Sequence, residues 1–379
     1  NYENHVASIS YCFFDISMQL LPLRHVGFLH VGAVVAAVAA GYQYTFQVGV
    51  CCLVATFIAN GTHSSFAKIA GKNASPVVYI FYLACGMLLG CTVVVAIVSQ
   101  PFEVTWAGLL GGVLLSMSVT CAVNATLLVG LVWTDMLIAS SATVTSFMWG
   151  KVYFQEPSTN FAGALFGLAL LLSGIAGISG IISHRLKTLD QTDRIAEGKD
   201  LYLGLSCAVF AGILGGSSFG VNKLQPPDQQ GVSFIWTQAL GMLGMQTACL
   251  LLALSYDIFN LSADSESDSA SGTSSKTKRQ TFVVGRMSTG SLGPVGCMQG
   301  ILLAIANLTT TMAALSPLGI GVAQPVREAG HSLSVLIGVL LFLEYGAPDC
   351  IFLSSLLAFT CVNLVGIVLL TIYGSAPQE

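Results

Sequence analysis

From Val77 to Val98 the chain runs 22 residues without a charged side chain, and stretches of this kind recur along its whole length. A helix of about 20 apolar residues spans the hydrocarbon core of a bilayer. In water such a segment has no polar face to turn to solvent; in lipid a helix satisfies its own backbone. The charge-free runs predict ten helices, at 48–66, 77–98, 104–124, 130–150, 161–182, 201–221, 231–254, 291–314, 318–343 and 350–373. Asp135 is the sole charge between Val104 and Gly150, a stretch too long for one span, and Pro317, Gly319 and Gly321 divide the uncharged run Met287–Val326. The expected fold is an all-α, multi-pass integral membrane protein.

Composition agrees. With 14 basic and 18 acidic residues in 379, the chain carries 8% charged residues at a mean hydropathy of +0.78, where a soluble domain carries about 25%. Most of the 11 cysteines sit inside apolar segments, where they read as small apolar side chains and not as a disulfide or zinc framework. Residues 1–47 form an N-terminal segment whose apolar stretch near 27–46 reads equally as a further span or as a packed segment. Residues 183–200 are a charged connector and 374–379 a tail. Asp257–Gly290 is Ser-rich and too polar to build a core, so disorder is expected there. The odd-numbered loops hold Lys68, Lys72, Arg185, Lys187, Arg194, Lys199, Lys276, Lys278, Arg279 and Arg286, which puts them on the cytoplasmic side.

The chain also resembles itself. Ser64-Ser65-Phe66 matches Ser217-Ser218-Phe219 at an offset of 153, and Lys68 and Lys223 follow the two motifs. Cys85–Gly90 matches Leu240–Met245 at an offset of 155, and Gly150-x3-Phe-x-Glu156 matches Gly338-x3-Phe-x-Glu344 at 188. The growth of the offset is about the length of the Ser-rich segment. Two five-helix repeats, 48–182 and 201–373, account for this. Because five is odd, the second must enter the membrane from the opposite face, which makes the repeats inverted. Inverted repeats are a common transporter construction, with a solute site near the midplane.

These matched motifs, with Gly300–Asn307, Ser316-Pro-Leu-Gly319 and a helix ending in Phe-x-Glu344, resemble the drug/metabolite transporter superfamily. Within it they are most similar to the transmembrane protein 144 family, grouped with glucose/ribose-type sugar porters. The resemblance covers roughly residues 48–373. It implies ten helices in two inverted repeats and a sugar or related carbohydrate as solute. The first motif departs from the second in carrying His63 and lacking its tight Gly pair.

Candidate solute contacts follow. Ser64, Ser65, Ser217 and Ser218 offer hydroxyls at equivalent helix ends, or let helices pack closely. Lys68 and Lys223 reach toward the solute or snorkel to headgroups. Glu156 and Glu344 read as caps for the helices that follow them. Arg327, Glu328 and His331 lie in an otherwise apolar ninth helix, where ionisable groups are costly and mark a solute contact, a proton relay or an interface. Trp236 and Gln238 combine an aromatic face with an amide, and Asn124 and Asn307 end matched third and eighth helices. No P-loop, HExxH or GxSxG motif is present, and no nucleic-acid patch; no enzyme, cofactor or metal site is expected. The reading is a secondary transporter of a small polar solute in the plasma membrane or an endomembrane. Its alternatives are a nucleotide-sugar or other metabolite exchanger, and a non-transporting receptor or scaffold.

Overall fold

A computed structural model describes residues 45–69, 75–98, 102–188, 199–226, 229–268, 292–340 and 349–377. The apolar stretch near 27–46, Lys72, most of the connector and Glu344 lie outside the described residues. Among the described residues there are ten α-helices and no strand: α1 Phe46–Ile69, α2 Pro76–Val98, α3 Trp106–Val129, α4 Leu131–Phe147, α5 Phe161–Thr188, α6 Lys199–Gly220, α7 Val232–Asp268, α8 Leu292–Leu315, α9 Ile320–Leu340 and α10 Cys350–Gly374. Each coincides with an expected span. The break between α3 and α4 is a single residue, Gly130, whose φ of 86° suits glycine.

Among the described residues, eight helices are long and apolar enough to cross a membrane. Their outer faces leave large apolar side chains uncovered, Leu252 at 71% and Ile351 at 80% among them, as lipid-facing helices do. The exceptions are α4, which is short, and α9, which carries the ionisable cluster. Both are interior elements. α9 packs against α1, α4, α8 and α10, and α4 against α6, α9 and α3. Covered by neighbours, neither needs an apolar face all round.

The helices run alternately up and down. At one face Glu156, after α4, receives the backbone N–H of Ile320 and Gly321 at the start of α9, and Asn160 N–H donates to Tyr373 O at the end of α10. At the other, Arg185 near the end of α5 pairs with Asp349 before α10, 2.7 Å apart. Glycines set the closest approaches. A Cβ on Gly86 would strike the backbone of Cys297, and one on Gly300 that of Leu83, so α2 and α8 touch main chain to main chain. In the same way Gly241 abuts the backbone of Leu109, and Gly112 that of Gln238, between α7 and α3.

One expectation is corrected here. α7 extends through Asp257–Asp268, the first part of the segment expected to be disordered. Continuing an existing helix avoids the nucleation cost that a polar segment faces alone. Residues 269–291 lie outside the described residues.

Candidate functional site

α9 begins at Ile320, so Arg327, Glu328 and His331 fall two to three turns inside the helix, with Pro325 tolerated within it. Burial follows: Arg327 and Glu328 are each 5% exposed. The helical spacing puts Gln324, Glu328 and His331 on one face. Gln324 Nε2 donates to Glu328 Oε1 at 2.8 Å. Glu328 Oε2 lies 3.5 Å from His331 Nε2, and Glu328 Oε1 lies 3.9 Å from Arg327 Nη1. The Arg327 guanidinium rests over the Phe219 ring of α6, 4.9 Å from its centroid.

Two neighbouring helices complete the cluster. From α4, the Asp135 carboxylate comes within 3.9 Å of His331 Nδ1. From α1, Asn60 Nδ2 donates to Arg327 O at 2.8 Å, and the His63 ring lies 6.4 Å from that of His331. His63 Nδ1 donates to Asn60 O at 2.7 Å. The approach of α1 to α9 depends on Gly61 and Gly330, each of which faces the other helix's backbone. Arg327 Nε, His331 Nδ1 and Gln324 Oε1 are buried without a hydrogen-bond partner, so the cluster keeps capacity to bind a polar group.

The other expected site residues are dispersed. Gln238 and Asn307 are fully buried and meet each other between α7 and α8, Asn307 Nδ2 donating to Gln238 Oε1 at 3.3 Å. Gln238 Nε2 and Asn307 Oδ1 have no partner. Trp236 lies apart from α9. Its Nε1 donates to Thr92 at 3.3 Å and its ring meets Phe102 edge-on. Asn124 is exposed and donates to the Thr120 carbonyl of its own helix. Ser218 donates to the Gly215 carbonyl, while Ser217 receives Trp149 Nε1 at 3.1 Å. Ser64, Ser65 and Lys68 belong to α1, but their side chains lie outside the described residues.

Lys223 pairs with Glu156, which caps α9 and not the α5 that follows it in sequence. Both carboxylate oxygens accept from the first N–H groups of α9, where the helix dipole favours a negative charge. Gly319, with a φ of 73°, leaves room for that carboxylate. Lys151 is tied to the carbonyls of Pro157 and Gly374. Glu156→Ala is expected to cost about 1–2 kcal/mol through the lost cap. Thermal unfolding in detergent reads this as a lower Tm; an unchanged Tm would show that α9 does not need the cap.

Asp135, His63, Asn60 and Gln324 were not among the residues expected to form the site. The available signal was Asp135, a charge in a membrane stretch that was read only as a helix break. Among the described residues no group of His, Cys, Asp and Glu is arranged to hold a metal. A shallow groove of about 690 Å³ between α4 and α6, lined by residues such as Trp133, Leu137 and Phe210, is apolar and separate from the cluster.

No protein-family model and no curated protein matches the sequence. A solved crystal structure, described only as that of a protein, superposes with a TM-score of 0.58 at 11% identity, over 85% of this chain and 96% of that one. The likeness is one of fold.

Proposed function

We propose that this chain is a secondary transporter of the drug/metabolite type, carrying a sugar or related small polar solute by alternating access. The observation that carries the proposal is the buried cluster of Asp135, Arg327, Glu328 and His331, shared between the two interior helices α4 and α9. Ionisable groups kept inside a membrane bundle mark solute or ion paths. Gln238 and Asn307 add a free amide donor and a free carbonyl acceptor, a pairing that suits hydroxyl groups.

The reading also takes the two halves as inverted repeats. Its support is the way the sequence offsets carry one set of contacts onto another. Shifting Gly86 and Leu83 by 155, and Cys297 and Gly300 back by 188, turns the α2–α8 contact into Gly241 and Gln238 against Leu109 and Gly112. In this reading α4 and α9 are equivalent, and their shared cluster lies at the repeat interface.

An exchanger of phosphorylated metabolites needs free cations. Arg327 faces Glu328 and Phe219, and Lys151 is tied to two carbonyls, so neither favours that alternative. Uptake of a labelled sugar panel into proteoliposomes tests the proposal. Saturable entry of at least one sugar is expected; none, from protein that elutes as a single folded species, would favour a receptor or scaffold.

A further inference from the structure

We propose that Gln238 and Asn307 form the contact that selects a solute hydroxyl: one hydroxyl bridges the two amides, accepting from Gln238 Nε2 and donating to Asn307 Oδ1. That the bound sugar is cargo rests on the transporter reading above; the contact itself does not.

Two primary amides can close a ring of two N–H···O bonds. Here one forms, Asn307 Nδ2 to Gln238 Oε1, and it is long at 3.3 Å. The other two atoms, Gln238 Nε2 and Asn307 Oδ1, have no partner, although both residues are fully buried. Turning both amides over exchanges the roles and leaves the same open pair, one donor and one acceptor. An ammonium can only donate and a carboxylate can only accept, whereas a hydroxyl does both through one oxygen. The open pair therefore favours a neutral hydroxylated solute over an ion of either sign.

Neither packing nor the joining of helices requires these amides. Gly112 faces the Gln238 carbonyl, and in the α2–α8 contact Gly300 faces the Leu83 carbonyl in the same way, with an apolar side chain at the matched place. A glutamine that joins helices stands about two turns further along α7. Gln246 Nε2 donates to Ser116 Oγ at 2.7 Å and to Thr120 Oγ1 at 3.1 Å, both on α3. Gln238 keeps its donor open instead, and a buried polar atom is costly until a partner is supplied.

Open atoms continue beyond the pair. Thr311 lies one turn from Asn307 on the same face of α8, and its hydroxyl is buried without a partner. Gln324 Oε1 and Arg327 Nε, on the adjoining α9, are also open. α7 and α9 begin, and α8 ends, at the face where Glu156 caps α9, so these five residues stand about 6–12 Å from that face along their helices. A solute with several hydroxyls finds further partners at this level besides the bridging one.

Apparent affinities for D-glucose and its monodeoxy analogues, read from the rise of Tm with sugar concentration in detergent, test the contact. One analogue is expected to bind the wild type about tenfold to a hundredfold more weakly than glucose, because it leaves the amides unbridged. In the Gln238→Leu/Asn307→Leu double variant that analogue and glucose should bind alike. Removing both amides together strands neither partner, so the variant is expected to fold. Gln238→Met, which keeps the length of the side chain and removes the donor, gives the same comparison should the double variant not fold. An unchanged ranking of the analogues in the variant would overturn the contact and leave the pair a tie between α7 and α8. So would a wild type that distinguishes no analogue from glucose. Glucose bound with the expected ranking but excluded from proteoliposomes would instead sink the transporter reading and leave the contact standing.

Discussion

Glu328→Gln is expected to fold as the wild type does and to lose about tenfold to a hundredfold of sugar uptake. Gln keeps the size of Glu and can still accept from Gln324 Nε2, whose bond to Glu328 Oε1 is 2.8 Å long. The Arg327 guanidinium keeps its contact with the Phe219 ring in the variant. What disappears is an anion buried next to His331 and Arg327. A hydrogen bond to a charged group contributes roughly 1.5–3 kcal/mol, and each 1.4 kcal/mol is about a factor of ten. Arg327→Ala is a useful contrast. It leaves Glu328 without its guanidinium, and breaking a buried pair in this way costs about 3–5 kcal/mol. It should therefore fail at folding, seen as aggregation on size exclusion. Wild-type uptake by Glu328→Gln would remove the cluster from the transport path.

Gly86→Leu and Gly241→Leu are expected to destabilise the bundle severely and to similar extents, by about 3 kcal/mol or more each. Any Cβ at these positions meets backbone, that of Cys297 in one case and of Leu109 in the other, and backbone cannot rotate away. The two helix pairs would have to move apart, losing contacts along their whole length. Gly244, with nothing within 4 Å of a built Cβ, is the control, and Gly244→Ala should be silent. Folded yield and Tm in detergent measure all three. If Gly241→Leu were tolerated while Gly86→Leu was not, the equivalence of the two contacts, and with it the repeat reading, would lose its footing.

The ten helices were legible because lipid leaves so little choice: a chain must hide its backbone in segments of a fixed length, and charge cannot be spread among them. Two places escaped for the same reason in reverse. The polar end of α7, through Asp268, has no apolar signature, since it gains its helix from the span before it. The single Asp135 looked like the end of a segment, although it stands four residues inside α4 and meets α9. Arg327, Glu328 and His331 stood out because they were expensive where they were. Their partners did not, because helix-to-helix neighbours depend on which faces meet, and that is not written in linear spacing. Asn124 shows the same gap. It was expected, like Asn307, near the end of a matched helix, yet it is exposed and bonds its own backbone, while Asn307 is buried against Gln238.

The interior position of α4 and α9 bears on how the chain enters a membrane at all. During synthesis a span is released sideways into lipid according to its own hydrophobicity, and Arg or Asp at a helix centre opposes release by about 2.5–3.5 kcal/mol each. α4 has 17 residues and Asp135; α9 carries Arg327, Glu328, Gln324 and His331. Neither qualifies as a span by itself, while their flanking helices α3, α5, α8 and α10 do. Both must therefore be drawn in by helices already inserted, and α9 waits until nearly the whole protein exists to shelter it. A chain truncated after α9 would lack α10 and its Asn363–Ser332 bond, leaving its most polar helix exposed to quality control. Biogenesis, and not the folded state, is then the stage at which substitutions in these two helices act first.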